Sequence, residues 1–144
     1  MTHAVVCATR GGEVSRRTQE RAIALARERG AELIFLCVVN PNIAGPLEEE
    51  LSAALRDELQ RFGCALLSIA RARARKEGVE ARTVVLSGPV WPSIGDYLRE
   101  VNADTLVIGA PRTRVDAPET EVQEADDFFE TVRQLTGVEV VIVE

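Results

Sequence analysis

The sequence predicts an α/β fold, an open parallel sheet with helices on both faces. Short aliphatic runs rich in β-branched residues alternate with helical segments four times along 144 residues, which is the pattern of successive βαβ units. The run Leu33 to Val39 is apolar throughout. That suits a strand covered on both faces better than a half-exposed antiparallel strand, which would alternate. A chain of this length is about one domain, able to bury roughly two thirds of the surface that its unfolded form exposes. Residues 1–144 are therefore read as a single domain, with no internal repeat.

The elements follow in order. Ala4 to Thr9 is a buried strand, ended by Arg10-Gly11-Gly12. Ser15 is placed to cap a helix reaching about Arg29, with Thr18, Ala22, Leu25 and Ala26 on one stripe and Gly30 as its stop. Leu33 to Val39 is the second strand, and Asn40-Pro41-Asn42 with Gly45-Pro46 punctuates a loop. From Leu47 to Glu77, the residues Leu47, Leu51, Leu55, Leu59, Phe62, Leu66 and Ile69 recur at helical spacing and predict one continuous apolar face. Glu48-Glu49-Glu50 opens that helix and Arg71, Arg73, Arg75 and Lys76 close it, the order that the helix dipole favours. A helix so long for the domain predicts a bend near Gly63 or an overhanging end. Val79 to Leu86 is the third strand, with Val84-Val85-Leu86 as its buried part. After the turn at Ser87-Gly88-Pro89, Pro92 opens a helix carrying Ile94, Tyr97, Leu98 and Val101. Thr105 to Ile108 is the fourth strand and breaks at Gly109-Ala110-Pro111-Arg112. Ala125, Phe128, Phe129, Val132 and Leu135 mark a last short helix before the fifth strand, Val138 to Val143.

Composition narrows the function. Hydrophobic residues make up 46% of the chain and aromatic residues 4%, so the core is aliphatic. A net charge of −6 argues against general nucleic-acid binding, which rests on neutralising phosphates. No apolar run approaches a membrane span, and the start lacks the basic and small-residue pattern of a signal peptide. A cytoplasmic protein is expected. Cys7, Cys37 and Cys64 have no paired spacing and are read as buried, reduced thiols. His3 is the only histidine, which leaves no histidine-based triad or zinc site, and no Walker loop, nucleophile elbow or G-x-G-x-x-G occurs. The ends of the first and fourth strands, Thr9-Arg10 and Gly109-Ala110, also lack the carboxylates of a receiver domain.

The remaining rule places a ligand at the carboxyl ends of the strands, where strand order reverses. The tips are Thr9, Arg10, Gly11 and Gly12; Val39 and Asn40; Ser87 and Gly88; and Gly109 to Arg112. Glycines there let backbone approach a phosphate or simply let the chain turn, and the residues alone favour the turn.

The stretch Val5-Val6-Cys7-Ala8-Thr9-Arg10-Gly11-Gly12-Glu13, with Ala22 to Ala26, Gly30 to Leu33 and Val38-Val39, resembles the first half of the universal stress protein family. Gly88 to Ile94 and Ala103 to Gly109 resemble its second half. The resemblance implies a five-stranded parallel sheet of order 3-2-1-4-5, homodimers made through the last strand and, in one branch, ATP binding. That branch carries an Asp at the end of the first strand and a G-x-x-G-(nine residues)-G-S/T motif after the fourth. Here Arg10 stands at the Asp position, Gly109-Ala110-Pro111-Arg112 replaces G-x-x-G, and Asp126-Asp127 falls about where Gly-Ser/Thr would stand. Pro111 offers no N–H to a phosphate, and two carboxylates occupy the helix start where a phosphate would meet the dipole. Residues 115–130 hold seven acidic residues and no basic ones. Against this, Arg10, Arg112 and Arg114 would suit a smaller anion if they converge, with pairing to the acidic residues as the alternative.

The expectation is thus a non-enzymatic stress-response or regulatory homodimer with a degenerate nucleotide site, a vestigial or retuned pocket shaped by Thr9, Arg10, Gly11, Gly12, Val39, Gly88, Gly109 and Arg112, and no required cofactor or metal. The alternative is a nucleotide-binding member with a divergent phosphate loop, taking ATP, another nucleotide or a small anion. A third reading makes the Arg71 to Lys76 helix end a docking patch for an acidic partner, against a solvated end that complements the dipole. The apolar Val138 to Val143 strand, at a sheet edge in the family order, is expected to be covered by its symmetry mate.

Overall fold

The computed structural model describes residues 4–9, 13–40, 48–109, 127–128, 130–132, 134 and 137–143. Among them are five strands, β1 (Ala4–Ala8), β2 (Glu32–Val39), β3 (Ala81–Ser87), β4 (Thr105–Gly109) and β5 (Glu139–Val143). Three helices have defined bounds: α1 (Glu13–Arg29), α2 (Glu49–Lys76) and α3 (Val90–Glu100). The strands form one sheet of order β3-β2-β1-β4-β5, parallel at every pairing, as the resemblance implies. Residues 127, 128, 130–132 and 134 are helical, where the last short helix is expected. Of its marker residues, Ala125, Phe129 and Leu135 lie outside the described residues.

The alternation of side chains along each strand divides the core into two layers. Val5, Cys7, Leu33, Phe35, Cys37 and Val107 point to the face covered by α1 and α2, where Ala22, Leu25, Ala26, Leu67, Ala70 and Ala74 meet them. Val6, Ile34, Leu36 and Leu106 point to the other face, against Ile94, Tyr97 and Leu98 of α3 and Val132. Among the described residues, Phe35 and Tyr97 are the aromatic side chains buried in these layers, in keeping with the low aromatic content.

Several expectations are corrected in detail. Helix α1 starts at Glu13, which puts Ser15 inside its first turn instead of at its cap. Its other end is as expected: Ala31 N–H reaches the Ala26 carbonyl at 2.9 Å around Gly30, the closed turn in which a glycine ends a helix. In β3 the residues Val84, Val85 and Leu86 are only half-buried, because this strand lies at a sheet edge. Val79 is buried but precedes the strand.

The largest correction concerns α2, a helix of 28 residues, about 42 Å long. Its buried residues are Gly63, Leu67, Ala70 and Ala74. Leu51, Phe62 and Ile69 of the expected face are 55%, 58% and 53% exposed, while Leu55, Leu59 and Leu66 are half-buried. Small side chains explain the rotation. An added Cβ at Gly63 would stand 3.0 Å from Val85 Cγ1, so the helix approaches the sheet through residues that carry little or no side chain.

Candidate functional site

The crossover from β1 runs over one face to β2, and β4 lies on the other side of β1. The carboxyl ends of β1 and β4 therefore flank the point where strand order reverses. Of the residues singled out in the sequence, Thr9 and Gly109 stand there, one position beyond the register pair Ala8–Ile108. Val39 and Gly88 form a separate contact on the side of β1 away from β4: Gly88 N–H donates to the Val39 carbonyl at 2.9 Å and ties the tip of β3 to that of β2. Gly88 has φ +141°, and a Cβ there would stand 3.2 Å from Ser93 Oγ, so backbone conformation and space both favour glycine. Arg10, Gly11, Gly12, Pro111, Arg112, Arg114 and Asp126 lie outside the described residues. Asp127 is described and exposed, at the start of the last helical residues.

Thr9 is held by two kinds of bond. Its N–H donates to the Leu36 carbonyl at 2.9 Å, extending the β1–β2 ladder past the end of the strand. Its hydroxyl belongs to a buried polar chain that sequence reasoning missed. Arg73 Nη1 donates to Gln19 Oε1 at 2.6 Å, and Gln19 Nε2 donates to Thr9 Oγ1 at 3.1 Å. Thr9 and Gln19 are 3% and 2% exposed. The direction of this chain is fixed at one end, because a guanidinium only donates and so must face the amide oxygen. The amide N–H2 then faces Thr9, whose oxygen accepts and whose own proton is directed elsewhere. The one hint in the sequence was a glutamine beside Thr18 on the apolar stripe of α1.

The same chain changes the reading of the basic helix end. Arg73 is directed inward between α2 and α1, and Arg75 Nε lies 3.8 Å from Glu80. Arg27 of α1 pairs with Glu77 at 3.6 Å just beyond α2. Two of the four basic residues thus have partners within the chain, which weakens the docking-patch reading.

On the opposite face, Trp91 and Phe128 pack with ring centroids 5.0 Å apart and planes inclined by 34°. They lie over Ile108 and beside Ala8, just below the tips of β4 and β1. The switch point is therefore flanked by a buried polar chain on the α1 side and an aromatic pair on the α3 side. No group of three His, Cys, Asp or Glu side chains that could hold a metal ion occurs among the described residues. No helix among them is long and apolar enough to cross a membrane.

Known proteins of the same kind bear on this arrangement. Residues 1–117 match the family described as the universal stress protein family. Universal stress protein YxiE of Bacillus subtilis is 25% identical over 118 residues, covering 76% of this chain and 80% of that protein. A universal stress protein solved in complex with cAMP superposes with a TM-score of 0.70 at 21% identity, over 99% of this chain and 96% of that one. The universal stress protein from Archaeoglobus fulgidus in complex with dAMP gives a TM-score of 0.64 at 21% identity, over 100% and 98% of the two chains.

Proposed function

Because this chain belongs to the universal stress protein family, we propose that it acts as a non-enzymatic, cytoplasmic regulatory homodimer whose nucleotide site is retuned or vestigial. The observation that carries this reading is the chemistry at the motif positions: Arg10 for Asp, Pro111 and Arg112 within the replaced G-x-x-G, and Asp126-Asp127 about where Gly-Ser/Thr would stand. A triphosphate brought to the β1–β4 crevice would meet a loop without the required backbone donors and a run of carboxylates. At a screening length of about 8 Å several of those carboxylates would repel it. Thr9, Gly109 and the residues Arg10, Gly11, Gly12 and Arg112 form the proposed rim, with Val39 and Gly88 extending it along the neighbouring tips.

The second reading is a nucleotide-binding member with a divergent phosphate loop. It is favoured by the dAMP- and cAMP-bound structures of the same fold and by the side-by-side strand ends at Thr9 and Gly109. Calorimetric titration of the purified protein with ATP, AMP and cAMP separates the two. The first reading expects no heat of binding and no thermal shift with ATP; micromolar ATP affinity would replace it with the second.

The homodimer is argued from β5. Within the described sheet β5 pairs on one side only, with β4, and Ile142 is 40% exposed while Val140, Val141 and Val143 are half-buried. An aliphatic edge of this kind is stable in water when a second strand covers it, and a two-fold axis along β5 would supply that strand. Ile142→Asp should then convert a dimer into a monomer in size-exclusion chromatography with light scattering. A dimer that survives the substitution places the interface elsewhere.

A further inference from the structure

Cys37 and Cys64 are far apart in sequence, on β2 and α2, but the close approach of these two elements brings Cys37 beside the residue that precedes Cys64. Cys37 Sγ lies 3.6 Å from the position that a Cβ of Gly63 would occupy. No side chain on Gly63 separates that sulfur from the helix backbone, and Cys64 is the next residue. The two thiols differ in access: Cys37 is buried and Cys64 is exposed, contrary to the expectation that all three cysteines are buried. They also sense each other, because burial and then the negative charge of a Cys64 thiolate raise the Cys37 pKa. Cys7 sits in the same face of the sheet with its thiol pKa raised by burial, and at 0% exposed it is out of reach of peroxide in the solvent.

We propose that Cys64 and Cys37 form a peroxide-responsive dithiol that closes to a disulfide linking α2 to β2, with Cys64 as the attacking and Cys37 as the resolving cysteine. The exposed Cys64 thiolate attacks one oxygen of a hydroperoxide, breaking the O–O bond to give a sulfenic acid and releasing the other oxygen as water or an alcohol once protonated. The Cys37 sulfur then attacks the sulfenic sulfur past the bare backbone of Gly63. The S–S bond forms as the S–O bond breaks, and the hydroxyl leaves as water with the Cys37 proton. The two thiols lose two electrons and two protons in all, and the peroxide takes up both. Closure requires the two Cα atoms to come within about 7 Å. The absent side chain at position 63 already lets α2 lie close against β2 and β3 at this point. The disulfide would pin the long helix to the sheet at its middle, beside the exposed Phe62.

The test is oxidation of the folded protein with hydrogen peroxide, alkylation of remaining thiols, and peptide mapping without reduction. The expected product joins the Cys37 and Cys64 peptides and leaves Cys7 as a free, alkylated thiol. Cys37→Ala should leave Cys64 as a sulfenic acid that dimedone traps, and Cys64→Ser should slow the loss of the Cys37 thiol by about tenfold or more. Cys64 is exposed, so Cys64→Ser is expected to fold even if Cys37→Ala does not. A wild-type protein in which Cys64 accumulates as a dimedone adduct, or joins a second chain with Cys37 still reduced, overturns the proposal. So does equal oxidation of Cys37 in Cys64→Ser.

Discussion

Gln19→Leu is expected to lower the unfolding free energy by about 3 kcal/mol, the sum of one broken charge-assisted bond and one buried hydroxyl left without its donor. Leucine fills a similar volume, so the loss comes from polar groups rather than from a cavity. Arg73, half-buried between the helices, loses the amide oxygen that accepts its 2.6 Å bond, and Thr9 Oγ1 loses the donor 3.1 Å away. If that account is right, Arg73→Met added to Gln19→Leu should recover part of the loss, because an apolar pair costs less than an orphaned charge. Urea unfolding at pH 7 with an unchanged slope makes the measurement. A Gln19→Leu cost within about 0.5 kcal/mol of zero would mean that water replaces the chain without penalty. Thr9 directly follows β1 at the proposed site, so any gain in mobility at that tip should accompany the loss of stability.

The second large effect is expected at Gly63. Valine there would place its Cβ 3.0 and 3.2 Å from the two Val85 methyl groups and 3.6 Å from Cys37 Sγ, with two further methyl groups to accommodate. Val85 is branched and its backbone is held in the β2–β3 ladder opposite Cys37, so it cannot swing aside as a long flexible side chain would. Overpacking of this kind costs about 2–3 kcal/mol, far more than the helix propensity that valine adds over glycine. Val85→Ala in the same chain should return much of the loss by opening the space. Gly63→Ala is expected to fall near neutral, since about 1 kcal/mol of propensity offsets one tight contact. Thermal unfolding of the three variants beside the parent checks the set, and a Gly63→Val protein as stable as the parent would show that α2 can move off the sheet at little cost.

Both cases show what the sequence allowed and what it concealed. The strands were legible because an unbroken aliphatic run such as Leu33 to Val39 has few alternatives to a doubly covered strand, and their alternation with helices leaves little freedom in topology. The face of α2 was not legible. Leu51, Phe62 and Ile69 share a spacing with Leu55, Leu59 and Leu66, and a rule that counts large apolar residues cannot see that Gly63, Ala70 and Ala74 are among the buried positions. The Thr9–Gln19–Arg73 chain was hidden for a different reason. Its members stand 10 and 54 positions apart, and each alone reads as an ordinary strand end, helix residue or basic terminus. The site was legible at the level of the strand tips: Thr9 beside Gly109, Val39 beside Gly88. Arg10, Pro111 and Arg112 were legible as departures from a motif, a matter of chemistry that needs no coordinates to state.

The aromatic pair over the ends of β1 and β4 has a practical consequence. Trp91 is the only tryptophan in the chain, and it is half-buried against Phe128 and Ile108 rather than lost in the deep core. Its indole emission should depend on the polarity of that one spot. Entry of a ligand at the switch point, or a shift of the last helical residues that carry Phe128, would change its wavelength and intensity. The protein thus carries its own optical probe where its function is proposed to lie, and unlabelled material in a fluorimeter can report on it.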